Sequence, residues 1–256
     1  MDRAVLQTMF DMTDRVVIVT GGTRGIGRAL AEGYVAAGAK VVVASRKADA
    51  CAETQAHLES MGGEALGVPT HLGDVDALEG LVAATVERFG GIDVVVNNAA
   101  NALAQPLGQF TSEAFGKSFD VNVRGPVFLT QAALPHLEAS EHAAVLHVIS
   151  AGAFMFSAGL SMYAAGKAAL MSFTRSMAAE YAWRGIRVNA LAPGTVNTDM
   201  VRANSQERQE AMAAASILGR MARPDEMVGP ALLLTSDAGS FCTGQVLLAD
   251  GGMVPH

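Results

Sequence analysis

The amino-acid sequence predicts an α/β protein: a doubly wound parallel sheet of about seven strands with helices on both faces. Short β-branched runs recur along the chain, and they are continuous rather than alternating, as strands buried on both faces require. Longer Ala/Leu/Glu-rich stretches with apolar residues at helical spacing separate them. At 256 residues the chain lies near the upper end of what one hydrophobic core serves, roughly 250–300 residues. One domain over 1–256 is therefore expected.

The first run, Val16 to Val19, leads into Thr20-Gly21-Gly22-Thr23-Arg24-Gly25-Ile26-Gly27 and then a helical stretch from Arg28 to Ala37. The second, Val41 to Val43, continues through Ala44 and Ser45 to Arg46 and Lys47. Ala65 to Val68 reads as a weaker strand. Leu78, Leu81, Val82, Val86 and Phe89 then repeat at helical spacing ahead of a fourth strand, Val94 to Val96. A long helical stretch, Ser112 to Leu137, precedes the fifth strand, Val145 to Ile149. Another, Ser161 to Trp183, carries Leu170, Phe173, Met177 and Tyr181 and precedes the sixth, Ile186 to Leu191. Val246 to Leu248 closes the sheet.

The segment Thr198 to Ala222 is richer in Met, Ala, Gln and Glu and is bounded by Pro193-Gly194 and Pro224. It reads as a helical insertion near 198–222. Ligands of open α/β sheets sit beyond the carboxyl ends of strands, where such an insertion can cover them. The plain alternative is a surface helix pair.

Composition removes several function classes. The net charge is -7, with no cluster of Lys and Arg, so neither nucleic acid nor an anionic membrane finds a basic footprint. No apolar run approaches the roughly 18–20 residues of a membrane span, and Met1 to Asp14 lacks a signal-peptide core. Cys51 and Cys242 cannot form a framework or a CxxC pair, which fits a reducing, cytoplasmic setting. HExxH, CxxC and P-loop sequences are absent, so no metal site is expected. Ser150 sits in no GxSxG elbow, and His147, three residues before it, projects to the opposite sheet face. A hydrolase is not expected.

The turn after the first strand has the context that dinucleotide binding needs. Gly21 allows a tight turn, Gly25 a close approach of phosphate to backbone, and Gly27 tight packing, while the helix start offers free N–H groups to a pyrophosphate. The remaining markers fall in sequence order. Asn97-Asn98-Ala99-Ala100 follows the fourth strand, Asn122 lies between two valines, and Ser150 ends the fifth strand. Tyr163 and Lys167 form YxxxK, with Tyr163 thirteen residues beyond Ser150. Pro193-Gly194 with Thr198 follows the sixth strand, and Asp250-Gly251-Gly252 the last.

This set, with GxxxGxG spacing in the glycine turn, resembles the classical short-chain dehydrogenase/reductase family across almost the whole chain. The resemblance implies a Rossmann-type sheet and an NAD(P)-dependent oxidoreductase moving a hydride between nicotinamide and a carbonyl or secondary alcohol. It assigns Tyr163 as proton donor or acceptor, Ser150 as the group that positions and polarises the carbonyl, and Lys167 as a partner of the nicotinamide ribose. Asn122 would hold a water linking Lys167 to solvent. Gly21, Thr23, Arg24, Gly25, Ile26, Gly27, Ser45 and Arg46 would line the cofactor from one side. Leu72, Asn98, Ala99, Ala100, Pro193, Gly194, Val196 and Thr198 would line it elsewhere, with Tyr163 and Lys167. Ala100 replaces the usual glycine, Gly166 a common serine, and His71 stands where many members carry an adenine-contacting Asp. A homotetramer is implied as well, in which the helical stretches Ser112 to Leu137 and Ser161 to Trp183 could pair with their copies and the tail through Val254, Pro255 and His256 could pack on a neighbour.

The chemistry of the residues agrees. Tyr163 and Lys167 are one helical turn apart, and a nearby ammonium together with the positive charge of an oxidised nicotinamide is expected to lower a phenol's pKa from about 10. Ala151 to Phe156, with Met200, Met212 and Leu218 of the insertion, suggests an apolar lining for a hydrophobic substrate; plain packing explains them equally. The second strand ends at Ser45 without the acidic residue that selects NAD, and Arg46 and Arg24 can grip a 2′-phosphate. NADP(H) is therefore expected in preference, with NAD(H) possible. A catalytically idle cofactor-binding protein is the second reading, although it would have no use for a tuned acid.

Overall fold

A computed structural model describes residues 2–156 and 158–254. Seven parallel strands, β1 (Val16–Thr20), β2 (Lys40–Ser45), β3 (Ala65–Pro69), β4 (Val94–Asn97), β5 (Ala144–Val148), β6 (Arg187–Pro193) and β7 (Val246–Ala249), form one sheet. Their spatial order is β3-β2-β1-β4-β5-β6-β7. The chain builds outward from β1 to β3 and then crosses back to β4, so the topological switch lies between β1 and β4. Each predicted strand is present, with ends shifted by one or two residues; β6 runs on to Pro193.

Helices α2 (Gly25–Ala36), α3 (Ala48–Ser60), α4 (Val75–Phe89), α6 (Gly125–Glu138), α7 (Ser161–Tyr181) and α10 (Val228–Thr235) cover the sheet. The continuous β-branched runs have the reason expected of them: alternate residues feed two separate cores. Val17, Val19, Val41, Val43, Val94 and Val96 pack with Leu30, Tyr34 and Leu234 of α2 and α10. Ile18, Val42, Val95 and Val145 pack with Leu78, Leu81, Leu129 and Met177 of α4, α6 and α7.

Two elements differ from expectation. A short helix α1 (Arg3–Thr8) precedes the sheet, where no periodicity announced one. The stretch expected as one helix over 112–137 is broken: α5 (Ser112–Phe119) passes through a π-turn, Asp120–Arg124, before α6 begins. Pro126, at the start of α6, has no N–H to continue the ladder. At Gly125 any Cβ would lie 2.4 Å from the Leu72 carbonyl, so the break also brings the chain against the loop after β3. Between β6 and α10 lie α8 (Asp199–Arg202) and α9 (Gln206–Ala214). The expected packing of a tail through Val254, Pro255 and His256 on a neighbour falls, for its last two residues, outside the described residues. No helix among the described residues is long and apolar enough to cross a membrane.

Candidate active site

The predicted site residues gather beyond the carboxyl ends of the strands. Gly21 and Gly25 have φ of 64° and 53°, the left-handed region where a side chain is strained. At Gly27 a Cβ would lie 2.2 Å from the Gly21 carbonyl and 2.4 Å from Asn98 Nδ2. Its glycine is thus needed for the turn's own closure against β4 rather than for packing of helix on strand. Arg24 precedes α2 with extended backbone and no side-chain cap, so the first N–H groups of α2 keep their donors free. An uncapped helix start behind a left-handed glycine turn fits the pyrophosphate of a dinucleotide.

The turn is held to β4 by Thr20, which belongs to no motif. Thr20 is fully buried; its Oγ1 donates to the Val96 carbonyl at 3.2 Å and accepts from the N–H groups of Asn98 (3.0 Å) and Ala99 (3.1 Å). Asn98 Nδ2 returns a bond to the Thr20 carbonyl at 2.9 Å. Together they close the switch point, with Ala99 against Gly21 and Ala100 half-buried beside it. Only a polar residue at the last position of a buried strand could have signalled Thr20.

Elsewhere around the site, Ser45 ends β2 half-buried and its carbonyl accepts from Thr70 N–H at 2.7 Å, while Arg46 is exposed. Leu72 buries its side chain in the core, which leaves its backbone as the part that could face a ligand. His71 is exposed and accepts from Gly73 N–H. Beyond β6, Thr198 Cγ2 lies 3.1 Å from where a Cβ on Gly25 would sit, which brings the two loops into contact. Val196 bridges Ala222 in parallel, and two backbone bonds of 2.9 Å, Asn197 N–H to Ala222 O and Ala222 N–H to Thr195 O, close the base of the segment carrying α8 and α9. None of the residues of α9 is buried.

On the opposite side of the switch point, α7 brings Tyr163 and Lys167 to β5. Lys167 is fully buried and its Nζ donates to the Val148 carbonyl at 2.7 Å. Burial pushes the ammonium down to about 8. Tyr163 is half-buried, and burial pushes its hydroxyl up, with Ser150 pulling it partly back. The expected lowering by Lys167 is not realised in the protein alone: Nζ lies 5.7 Å from the Tyr163 ring centroid and is spent on Val148. Ser150 Oγ accepts from Gly152 N–H at 3.0 Å, which leaves its proton available to an incoming oxygen.

Asn122 lies in the π-turn, fully buried. Its side chain accepts from Asn101 N–H at 3.0 Å, donates to Asn101 O at 2.7 Å and reaches Ser118 Oγ at 3.3 Å. Through these bonds the amide clamps the loop after β4. Gly166 faces the same turn: a Cβ there would sit 3.2 Å from Asn122 Cβ, so a serine would require Asn122 to give by a few tenths of an ångström. Among the described residues no cluster of His, Cys, Asp and Glu could hold a metal ion, and Cys51 and Cys242 are unpaired.

The family model described as enoyl-(acyl carrier protein) reductase matches residues 21–254. Dehydrogenase/reductase SDR family member 4 of Homo sapiens is 36% identical over 94% of this chain and 88% of its own. L-rhamnose 1-dehydrogenase (NAD(P)(+)) of Azotobacter vinelandii is 36% identical over 94% and 97%. The solved structure of a 3-oxoacyl (acyl-carrier-protein) reductase from Agrobacterium tumefaciens with NADP bound superposes with TM-score 0.90. It is 33% identical and covers 96% of this chain and 97% of that one.

Proposed function

The chain belongs to the short-chain dehydrogenase/reductase family and is a nicotinamide-dependent oxidoreductase, and we propose that Tyr163, Lys167, Ser150 and Asn122 carry its chemistry. The observation that supports this most is the convergence of Tyr163 and Ser150 over a buried Lys167 beside the glycine cradle. Bound nicotinamide supplies or receives the hydride. Tyr163 donates its hydroxyl proton to the carbonyl oxygen of the substrate during reduction and takes it back during oxidation. Ser150, whose acceptor side is occupied by Gly152, donates a second hydrogen bond to that oxygen as its charge develops. Lys167 keeps positive charge beneath the pair, and Asn122 holds the loop after β4 through Asn101.

Because burial raises the Tyr163 pKa, the resting residue is an acid at neutral pH. Reduction can use it directly, whereas alcohol oxidation needs the phenolate and speeds up as pH rises. Tyr163→Phe is expected to lower turnover about 10²–10⁴-fold while cofactor binding, followed by nicotinamide fluorescence, stays within about threefold. Native turnover in that variant would end this assignment.

NADP(H) is the preferred cofactor in this reading, because Ser45 offers no carboxylate to a ribose, and Arg46, next to it in the chain, and Arg24, in the glycine turn, are both exposed. The substrate is a hydrophobic carbonyl or secondary alcohol. Phe154, Met155, Phe156, Met200, Ile217 and Leu218 stay exposed on the loops beyond β5 and β6, where the segment of α8 and α9 can act as a cover. A cytoplasmic homotetramer completes the proposal. Phe115, Phe128, Phe173 and Trp183, exposed on and just beyond α5, α6 and α7, are apolar surface for isologous helix pairing. A monomer in light scattering at micromolar concentration would overturn the oligomer.

A further inference from the structure

His147 has no part in the chemistry above, yet it is fully buried on β5 three residues before Ser150. Its Nδ1 lies 2.9 Å from Thr174 Oγ1. Thr174 Oγ1 in turn donates to the Leu170 carbonyl at 2.8 Å, one turn back along α7. A hydroxyl has one proton, so the bond to Leu170 leaves it only acceptor capacity toward the imidazole. The ring proton is therefore on Nδ1, and Nε2 is a bare lone pair that accepts no hydrogen bond from the described residues. Burial and the Lys167 charge hold the imidazole at about 3, so it is neutral wherever the protein works.

Thr174 stands seven residues beyond Lys167, two turns along one buried stripe of α7 that also includes Leu170. Tyr163 lies one turn to the other side. The Lys167 ammonium bonds the carbonyl of Val148, the residue next to His147. Two adjacent residues of β5 thus hold α7 at points two turns apart. One such point would let the helix pivot or slide; two fix its position along the strand. Asn97, paired in register with His147, fastens α6 in the same manner. Its Nδ2 donates to Thr130 Oγ1 at 3.2 Å, and that hydroxyl is spent on the Pro126 carbonyl at 2.8 Å. Asn97 Oδ1 also accepts no hydrogen bond from the described residues, so the paired strands carry two spare acceptors.

We propose that His147 is a positioning residue: through Thr174 it fixes α7 lengthwise on β5, and with it the reach of Tyr163 and Lys167 toward Ser150. This rests on the roles proposed for Tyr163 and Lys167. Thr174→Val keeps the shape of the side chain and removes the acceptor, and Thr174→Ser restores it. In the full chain with saturating cofactor, Thr174→Val should lower kcat about tenfold or more and shift the pH profile, because small misplacements of catalytic groups are costly. The cofactor KM should move less than about threefold, and Thr174→Ser should recover kcat to within about twofold. Nitrogen NMR of ¹⁵N-histidine protein near pH 7 should find the His147 proton on Nδ1. That measurement needs neither turnover nor a variant that folds. A proton on Nε2, or native kcat with an unmoved pH profile in Thr174→Val, overturns the proposal. Tyr163→Phe assayed alongside separates the two failures. If it turns over normally, the underlying roles are wrong and this inference falls with them. If it is inactive while Thr174→Val is native, only the positioning is wrong.

Discussion

After β1 the chain makes room by leaving side chains out: Gly21 and Gly25 turn through left-handed backbone, and Gly27 lies where a Cβ would collide with a carbonyl. Against β5 the construction is the reverse. Lys167, His147, Thr174 and Asn122 are all sunk in the interior, each with a hydrogen-bond partner. The glycine turn shapes a cradle that any side chain would strain. The buried ammonium raises the energy of the fold, since its pKa of about 8 against the ordinary 10.5 is roughly 3 kcal/mol of desolvation. Substitution should therefore change stability with opposite signs in the two regions.

Lys167→Met gives the largest contrast. Turnover should fall on the order of 10²-fold or more, because a buried positive charge beneath the reacting groups is lost. The variant should nevertheless be more stable at pH 7 by about 1–2 kcal/mol, the desolvation relieved less the cost of leaving the Val148 carbonyl unpaired. The sign follows from a folded pKa below the unfolded one. Between about 8 and 10.5 the native protein has released this proton and the unfolded chain retains it, so native stability climbs with pH across that window. The advantage of the variant should shrink over the same range in urea titrations. A less stable variant at pH 7 would mean that the ammonium is not the burden its burial implies.

Gly27→Ala should act the other way. The clash with Gly21 and Asn98 should cost about 1–3 kcal/mol and weaken cofactor binding about tenfold or more, with kcat at saturating cofactor close to native. Calorimetry and cofactor titration read both effects, and unchanged affinity would remove Gly27 from the cradle. Ser45→Asp should do least, leaving stability within about 0.5 kcal/mol. Its effect should appear in the ratio of kcat/KM for NADP(H) and NAD(H), moved toward NAD(H) by about tenfold or more. A native preference for NAD(H), or no movement in the variant, would show that the end of β2 does not select the cofactor.

The two regions also differ in how far a reader of the sequence could see them. The glycine turn was legible because its requirements are local: a strand, a spacing of glycines and a helix start lie within one short stretch. Tyr163 and Lys167 were legible for the same reason, as neighbours on a helix. The ties that hold them were not. Thr20 meets Val96, Asn97 meets Thr130, Asn122 meets Asn101 and His147 meets Thr174 only after the sheet has formed and the covering helices have docked. Each is a polar residue in an apolar context, a pattern that signals a satisfied buried group without naming its partner. The raised pKa of Tyr163 in the protein alone was no more legible. Helical spacing brings Lys167 near, but only the bond to Val148 shows where the ammonium is committed. The π-turn at Asn122 was not legible because the hydrophobic pattern runs through it, and the Leu72 loop that Gly125 packs against lies far along the chain.

The closed base formed by Thr195, Val196, Asn197 and Ala222 has a consequence for descent rather than for catalysis. Within the segment it closes, Thr198 against Gly25 and Ser216, Ile217 and Leu218 against Gly251 and Gly252 tie the two ends to the body, whereas no residue of α9 is buried. Insertions, deletions and exchange confined to α9 place little demand on the strands. Selection can rewrite what the molecule meets at its surface there while the buried ties around β4, β5 and α7 are inherited intact.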